Sequence, residues 1–363
     1  MKPYKGFVIA FLTFVLLALA FIGTIVAVVD PFFHYHKPLE GLCYQLSNER
    51  SINDGITKHF DYDAIITGSS MIENFKASEA DKMFNLHFIK LPYSGGSLKE
   101  INDNLKIAMS HNRNLKVVIR SLDYLYIDNM GDTRDKNWMR HDLGDYPTYL
   151  YDRNIFNDVY YLLNRDVFVS CIHAILNSFM LNKNENQSLN FDSYGNWMSG
   201  QTFGEVLAVA ERGPFSKPVD IRSLSQEEKQ TIIDNITQNV TSLTQETPQC
   251  TFYYFFPPYS IVWWGNLYEA GILERQIEIE RVAIELILNC ENIRLYAFNT
   301  EFGIVTDLEN YKDVYHYGEW INSLILKYMK EGRGLLTKDN YQSYIEAEKE
   351  FFMNYDYNTL FEE

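Results

Sequence analysis

From Gly6 to Val29 the chain carries no charged side chain, only a nearly continuous run of Phe, Leu, Ile, Val and Ala. A helix of about 20 apolar residues crosses a bilayer core, so this stretch is long enough to span one. Lys2 and Lys5 lie ahead of it, and Asp30 and Pro31 end it. That charge bias predicts a cytoplasmic N-terminus and an extracytoplasmic remainder. A cleaved signal peptide has a shorter apolar region, about 7 to 15 residues. The expectation is therefore a single-pass protein of the cell membrane, with residues 1–30 as cytoplasmic tip and anchor and 31–60 as a juxtamembrane linker.

Over the whole chain, 48 acidic residues against 32 basic ones leave a formal net charge of -16. Such a charge repels phosphate backbones and excludes nucleic acid as a partner. Aromatic residues make up 15% of the chain, and their ring faces suit sugar or acyl-chain contact as well as core packing. Cys43, Cys171, Cys250 and Cys290 show no CxxC spacing, so no zinc or redox motif is expected. They are read either as paired outside the cytoplasm or as isolated buried thiols. The tripeptides starting at Asn186, Asn235 and Asn239 fit the short glycosylation pattern.

From Asp61 onward, short apolar runs alternate with helical patterns. "AIITG", "HFIKLPYSGG", "KVVIRSLDYLYI", "CTFYYFFPPYS" and "IRLYAF" read as five strands. "ASEADKMF", "SLKEINDNLKIAMSHN", "SLSQEEKQTIIDNITQNVTSLTQ", "ERQIEIERVAIELILNC" and "YGEWINSLILKYMKEG" read as helices. Ser97 with Glu100, and Ser225 with Glu228, have the spacing of capping boxes. The alternation predicts an α/β fold, a doubly wound, mainly parallel five-stranded sheet. The α/β domain is expected over 61–335, with an irregular insertion at about 128–220 and a tail over 336–363. In such sheets sites form beyond the carboxyl ends of the strands, which here means the loops after Gly68, Tyr93 and Asp123.

The first of those loops reads "GSSMIENF", with Ser69 and Ser70 directly after the strand. A serine hydroxyl needs a base within hydrogen-bond reach and a third group to hold that base. "NYKDVYHYGEWIN" offers both, with Asp313 three residues before His316 and just ahead of the last core helix. The competing reading makes Ser69 and Ser70 N-caps, whose oxygens satisfy open backbone amides. Trp263 and Trp264, beyond the fourth strand, fit a rigid loop packed on the core better than the floor of a sugar site.

Taken together, Gly68-Ser69-Ser70, the "YSGGS" loop and Asp313-x-x-His316 resemble the SGNH, or GDSL-like, hydrolases. The nearest likeness is to the membrane-anchored bacterial branch with the D-alanyl transfer protein of lipoteichoic-acid synthesis and the alginate acetylation proteins. The resemblance covers roughly residues 60–125 and 250–330. It implies a flavodoxin-like sheet, Ser70 as nucleophile, His316 as base, Asp313 as its orienting carboxylate, and Gly95 or Gly96 as oxyanion donor. The family's third block has an Asn that helps bind the oxyanion, and this chain has "RSLDYLY" there, with Asp123. Loss of one oxyanion donor costs about 10²-fold or more in rate.

The expected activity is therefore an extracytoplasmic serine acyl esterase or acyltransferase acting on envelope polysaccharide or a teichoic-acid-type polymer. No cofactor and no metal are implied. The partners expected are the acylated polymer or glycan, the membrane, and a membrane O-acyltransferase. The alternative is a noncatalytic partner of the same fold, which scaffolds such an acyltransferase or binds glycan.

Overall fold

The computed structural model describes residues 3–135, 146–180, 189–204, 209 and 212–361. It divides into two compact units, one made of residues 1–61 and 143–190, the other of 62–142 and 191–363. The stretch expected as a single insertion at 128–220 is thus shared between them.

The first unit is helical. The apolar run forms the helix Pro3–Val29, and its segment Tyr4–Val29 is long and apolar enough to cross a membrane. The helix ends where Asp30 turns the chain with φ 48°. The buried Asp30 carboxylate then accepts from the backbone N–H groups of His34, Tyr35 and His36 and from the Tyr161 hydroxyl. Those four donors compensate for taking the charge out of water. Among the described residues, Glu49–His59, Val159–Leu162 and Arg165–Met180 are further α-helices of this unit.

The second unit is α/β. Its strands are β1 (Ala64–Gly68), β2 (Phe88–Pro92), β3 (Val117–Ser121), β4 (Thr251–Phe256), β5 (Ile293–Ala297) and β6 (Leu335–Leu336). The sheet order is β2-β1-β3-β4-β5-β6. The first five strands are parallel, and β6 pairs antiparallel with β5 through Tyr296 opposite Leu335. Every residue of β1, β2 and β3 is buried, which is why these strands read as continuous apolar runs rather than alternating ones. Among the described residues the expected five strands are thus six; two residues of β6 are too few to carry a period.

Charged exceptions inside the sheet are used as donors. Lys90 is fully buried on β2 and its Nζ donates to the carbonyls of Glu73, Phe75 and Asp192. Arg120, fully buried on β3, donates to the carbonyls of Leu98 and Asn239. Ser225 and Glu228 close a full capping box on the helix Gln226–Ile236. At the helix Leu98–His111, Ser97 Oγ accepts from Glu100 N–H, and Ser97's own N–H goes to Thr133. In place of the rigid loop expected after the fourth strand the chain forms the helix Ile261–Glu269, on which Trp264 is buried and stacks on Phe352 at 4.0 Å, with Trp263 also buried, so both tryptophans are core residues.

All four cysteines are free thiols, three of them buried. Asn235 and Asn239 are buried too, and Asn235 donates to the carbonyls of Tyr126, Ile127 and Asn129, which leaves neither open to glycosylation in the folded chain. Asn186 lies outside the described residues.

The tail forms the helix Tyr341–Asn354, which brings the fully buried Glu348 toward the fully buried Glu280 of the helix Leu273–Ile287. Tyr344 OH donates to Glu280 at 2.9 Å, while Asn299 Nδ2 donates to Glu348 at 2.8 Å and to Tyr124 OH. Burial pushes the Glu280 carboxyl up to about 7 and raises Glu348 as well, where the neighbouring Glu280 adds to the effect. The folded chain therefore holds protons that the unfolded chain releases near pH 4.5, so stability falls as pH rises from there through about 7. The melting temperature is expected to drop between pH 5 and pH 8 in the wild type and to drop less in Glu348→Gln, which keeps the shape and cannot ionise. Equal pH slopes in the two proteins would contradict this account.

Candidate active site

The sheet order reverses between β1 and β3, the switch point at which open α/β sheets bind their ligands. The chain leaves β1 there through Gly68, at φ 153°. A Cβ at Gly68 would stand 2.2 Å from Ser121 Oγ and 2.8 Å from Ile72 Cγ2, so only glycine lets the turn lie this close to β3. Gly68→Ala is expected to lower stability by roughly 1–3 kcal/mol through overpacking, read as a fall in melting temperature, because Ser121 is fully buried and its hydroxyl is held by Asp123. An unchanged melt would show that the turn has slack.

The two serines after Gly68 have different partners. Ser69 is buried, and its Oγ accepts from Met71 N–H at the start of the short helix Ser70–Ile72. Ser70 Oγ is 2.8 Å from His316 Nε2. The cap and the candidate nucleophile are therefore adjacent residues, each with one role.

His316 sits in a loop pinched by an antiparallel bridge between Tyr311 and Tyr317, and Lys312 N–H donates to the His316 carbonyl at 2.9 Å. The segment after β4 buttresses that loop: Tyr311 OH donates to the Pro258 carbonyl and Ser260 Oγ to the Val314 carbonyl. On the far side of the imidazole, Nδ1 lies 3.0 and 2.8 Å from the two oxygens of Asp313. Asp313 also accepts from the N–H groups of Tyr315 and His316. Burial alone would raise the Asp313 carboxyl, yet the imidazole and these amides hold it below the usual carboxylate range. A charged Asp313 fixes the tautomer with Nδ1–H, and Nε2 is then an acceptor for the Ser70 hydroxyl.

The glycine loop after β2 starts beside the serine turn, since Gly68 pairs with Pro92 in the sheet register. Gly95 takes the left-handed φ of 64° that the turn requires. Gly96 N–H donates to the Tyr93 carbonyl at 2.7 Å. That bond commits the Gly96 amide to the turn.

Beneath the serine turn lies Asp123, buried and accepting from Ser121 Oγ at 2.8 Å and Tyr259 OH at 3.2 Å. Burial raises its pKa, against the hydrogen bonds it accepts. Its contacts make it a support for the turn. Sequence reasoning missed Trp197, whose ring meets the His316 ring edge-on at 5.8 Å, under Lys312 Nζ at 4.0 Å. Phe203 stacks beside Trp197 and meets Trp320, which is 43% exposed. Trp197 and Phe203 belong to an irregular stretch with no period to flag them.

Among the described residues no cluster of His, Cys, Asp and Glu suited to a metal ion is found. No protein-family model matches the chain, and no curated protein matches it in sequence.

Proposed function

We propose that this chain is a membrane-anchored, extracytoplasmic serine acyl esterase or acyltransferase of the SGNH-like type, acting on acylated cell-envelope polysaccharide or a teichoic-acid-type polymer. The observation that carries the reading is the continuous chain Ser70 Oγ, His316 Nε2, His316 Nδ1, Asp313. The strand order 2-1-3-4-5 is that of flavodoxin-like sheets and supports the fold side of it. The charge bias about the apolar helix supports an outward-facing second unit.

In the proposed reaction Ser70 Oγ attacks the ester carbonyl carbon while its proton passes to His316 Nε2. Negative charge on the carbonyl oxygen is met by the backbone amides of Ser70 and Gly95, a role that rests on the adjacent placement of the two turns. The carbon–oxygen bond to the polymer breaks as His316 returns the proton to the leaving alkoxide, and the acyl group stays on Ser70. Water or a sugar hydroxyl then gives its proton to His316 Nε2 and attacks the acyl carbon, and the bond to Ser70 Oγ breaks as His316 passes that proton to Oγ, which restores both residues. The aromatic faces of Trp197, Phe203 and Trp320 suit the apolar faces of sugar rings.

The noncatalytic alternative, a partner that scaffolds a membrane O-acyltransferase or binds glycan, has one observation in its favour. The buried Asp123 stands where the resembled family has its oxyanion-binding Asn. Turnover decides between the two. The full chain in detergent or nanodiscs is expected to release acetate from a small acetyl ester or an O-acetylated envelope polysaccharide, or to pass it to an added sugar. A folded chain that does neither would leave the noncatalytic reading.

A further inference from the structure

The apolar helix is longer than a bilayer core needs. Its 26 residues from Tyr4 to Val29 extend roughly 39 Å at 1.5 Å per residue, against a hydrocarbon core of about 30 Å. The excess lies at the C-terminal end, where Val26 and Val29 are buried and Leu162 and Leu163 come within 3.9 Å of a Cβ placed on Gly23. The uncharged run clear of those contacts, Gly6 to Ile22, is then roughly 26 Å long, close to the thickness of the core. Gly23 therefore marks the level at which hydrocarbon gives way to headgroups.

The chain segment packed at that level is itself apolar and uncovered. Ile155 is 74% exposed, Phe156 85% and Tyr160 65%, with Val159 and Leu163 exposed beside them. The segment is held in shape rather than trailing. Asp152 accepts from Asn154 N–H at 2.7 Å and from Asn157 Nδ2 at 2.6 Å, and Phe156 N–H donates to Asn154 Oδ1. It is also tied to the exit of the helix, through Tyr161 OH on Asp30 at 2.7 Å and Tyr35 OH on Asp158 at 3.0 Å. A rigid tip that holds large apolar side chains out at the height of the headgroups has the composition of an interfacial aromatic belt.

We infer that residues 155–163 form a wedge seated in the outer-leaflet interface of the bilayer, with lipid as the occupant of the exposed apolar face. The inference rests on the reading of Tyr4–Val29 as a membrane span. The wedge fixes the depth at which the helix stops and so the height of this unit above the membrane.

The test is nitroxide accessibility on the full chain in nanodiscs of phosphatidylcholine and phosphatidylglycerol, with labels on Phe156→Cys, Phe14→Cys and Lys338→Cys and the labelled wild type as background. Dissolved oxygen reports lipid, and a water-soluble nickel chelate reports solvent. At residue 156 oxygen accessibility is expected to exceed nickel accessibility several-fold, as at residue 14 in the span, with the reverse at the exposed residue 338. Nickel access at 156 alongside oxygen access at 14 would overturn the wedge and leave the span standing. Nickel access at both would overturn the span itself. Shielding of 156 from both reagents would overturn lipid as the occupant in favour of a protein, either a second copy or another membrane protein.

Discussion

Ser70→Ala is expected to abolish acyl turnover while leaving the fold in place, because the hydroxyl it removes contacts His316 at 2.8 Å and the backbone turn is capped by Ser69 instead. Serine nucleophiles of such triads contribute about 10⁶-fold to rate, so the residual activity should be at background. His316→Ala should lose as much, and the double variant no more, since groups that act on one proton path are strongly non-additive. Melting temperatures within a few degrees of wild type would show that the losses are chemical. Additive losses would indicate that serine and histidine act separately. Ser69→Ala makes the informative contrast: it removes the cap on Met71 N–H, so it should cost about 0.5–2 kcal/mol of stability and retain measurable turnover.

The second large effect is expected at Asp313→Asn. Asn keeps an oxygen for the N–H groups of Tyr315 and His316, so the loop between Tyr311 and Tyr317 should hold. What the amide cannot do is accept Nδ1–H while carrying a charge, and the imidazole is left free to adopt the tautomer that points a proton at Ser70. In a Ser-His-Asp site that change lowers kcat by about 10⁴-fold with the geometry intact. Measurement of kcat on an acetyl ester, with the binding of substrate followed separately, checks it. A loss of less than tenfold would reduce Asp313 to a loop-shaping residue.

Why these three residues were legible in the sequence, and others were not, follows from how local their geometry is. Asp313 and His316 share one short loop, so their spacing alone predicts contact. Gly68 could be read because the turn out of β1 tolerates no Cβ. The division of labour between Ser69 and Ser70 is not local, since it depends on Asp123 lying under one and His316 over the other, and both are distant in sequence. The same holds for Gly96, whose amide turns back on Tyr93, and for Trp197, which reaches His316 from a segment without period.

The fold shows a similar split. β1, β2 and β3, buried on both faces, and the largely buried β4 and β5 are short apolar runs, and all five could be found that way. The sixth escaped because Leu335–Leu336 is too short, and its pairing with β5 is set by the turn at Gly332 and Gly334, both at positive φ. Glu280 was hidden inside the helix pattern "ERQIEIERVAIELI", where it occupies the stripe with Ile277 and Ile284. A carboxyl on the buried stripe of a helix was the available signal for the proton-holding pair with Glu348. The division of residues 128–220 between two units left no mark in composition.

The measurement that bears most directly on the account is covalent labelling of the full chain by a fluorophosphonate, with the modified residue located by peptide mass. Such a probe reacts with serines activated by a neighbouring base. One label per chain on Ser70, absent in Ser70→Ala and strongly slowed in His316→Ala, is the result the account predicts. A folded wild-type chain that takes no label, or takes it on another residue, would contradict it.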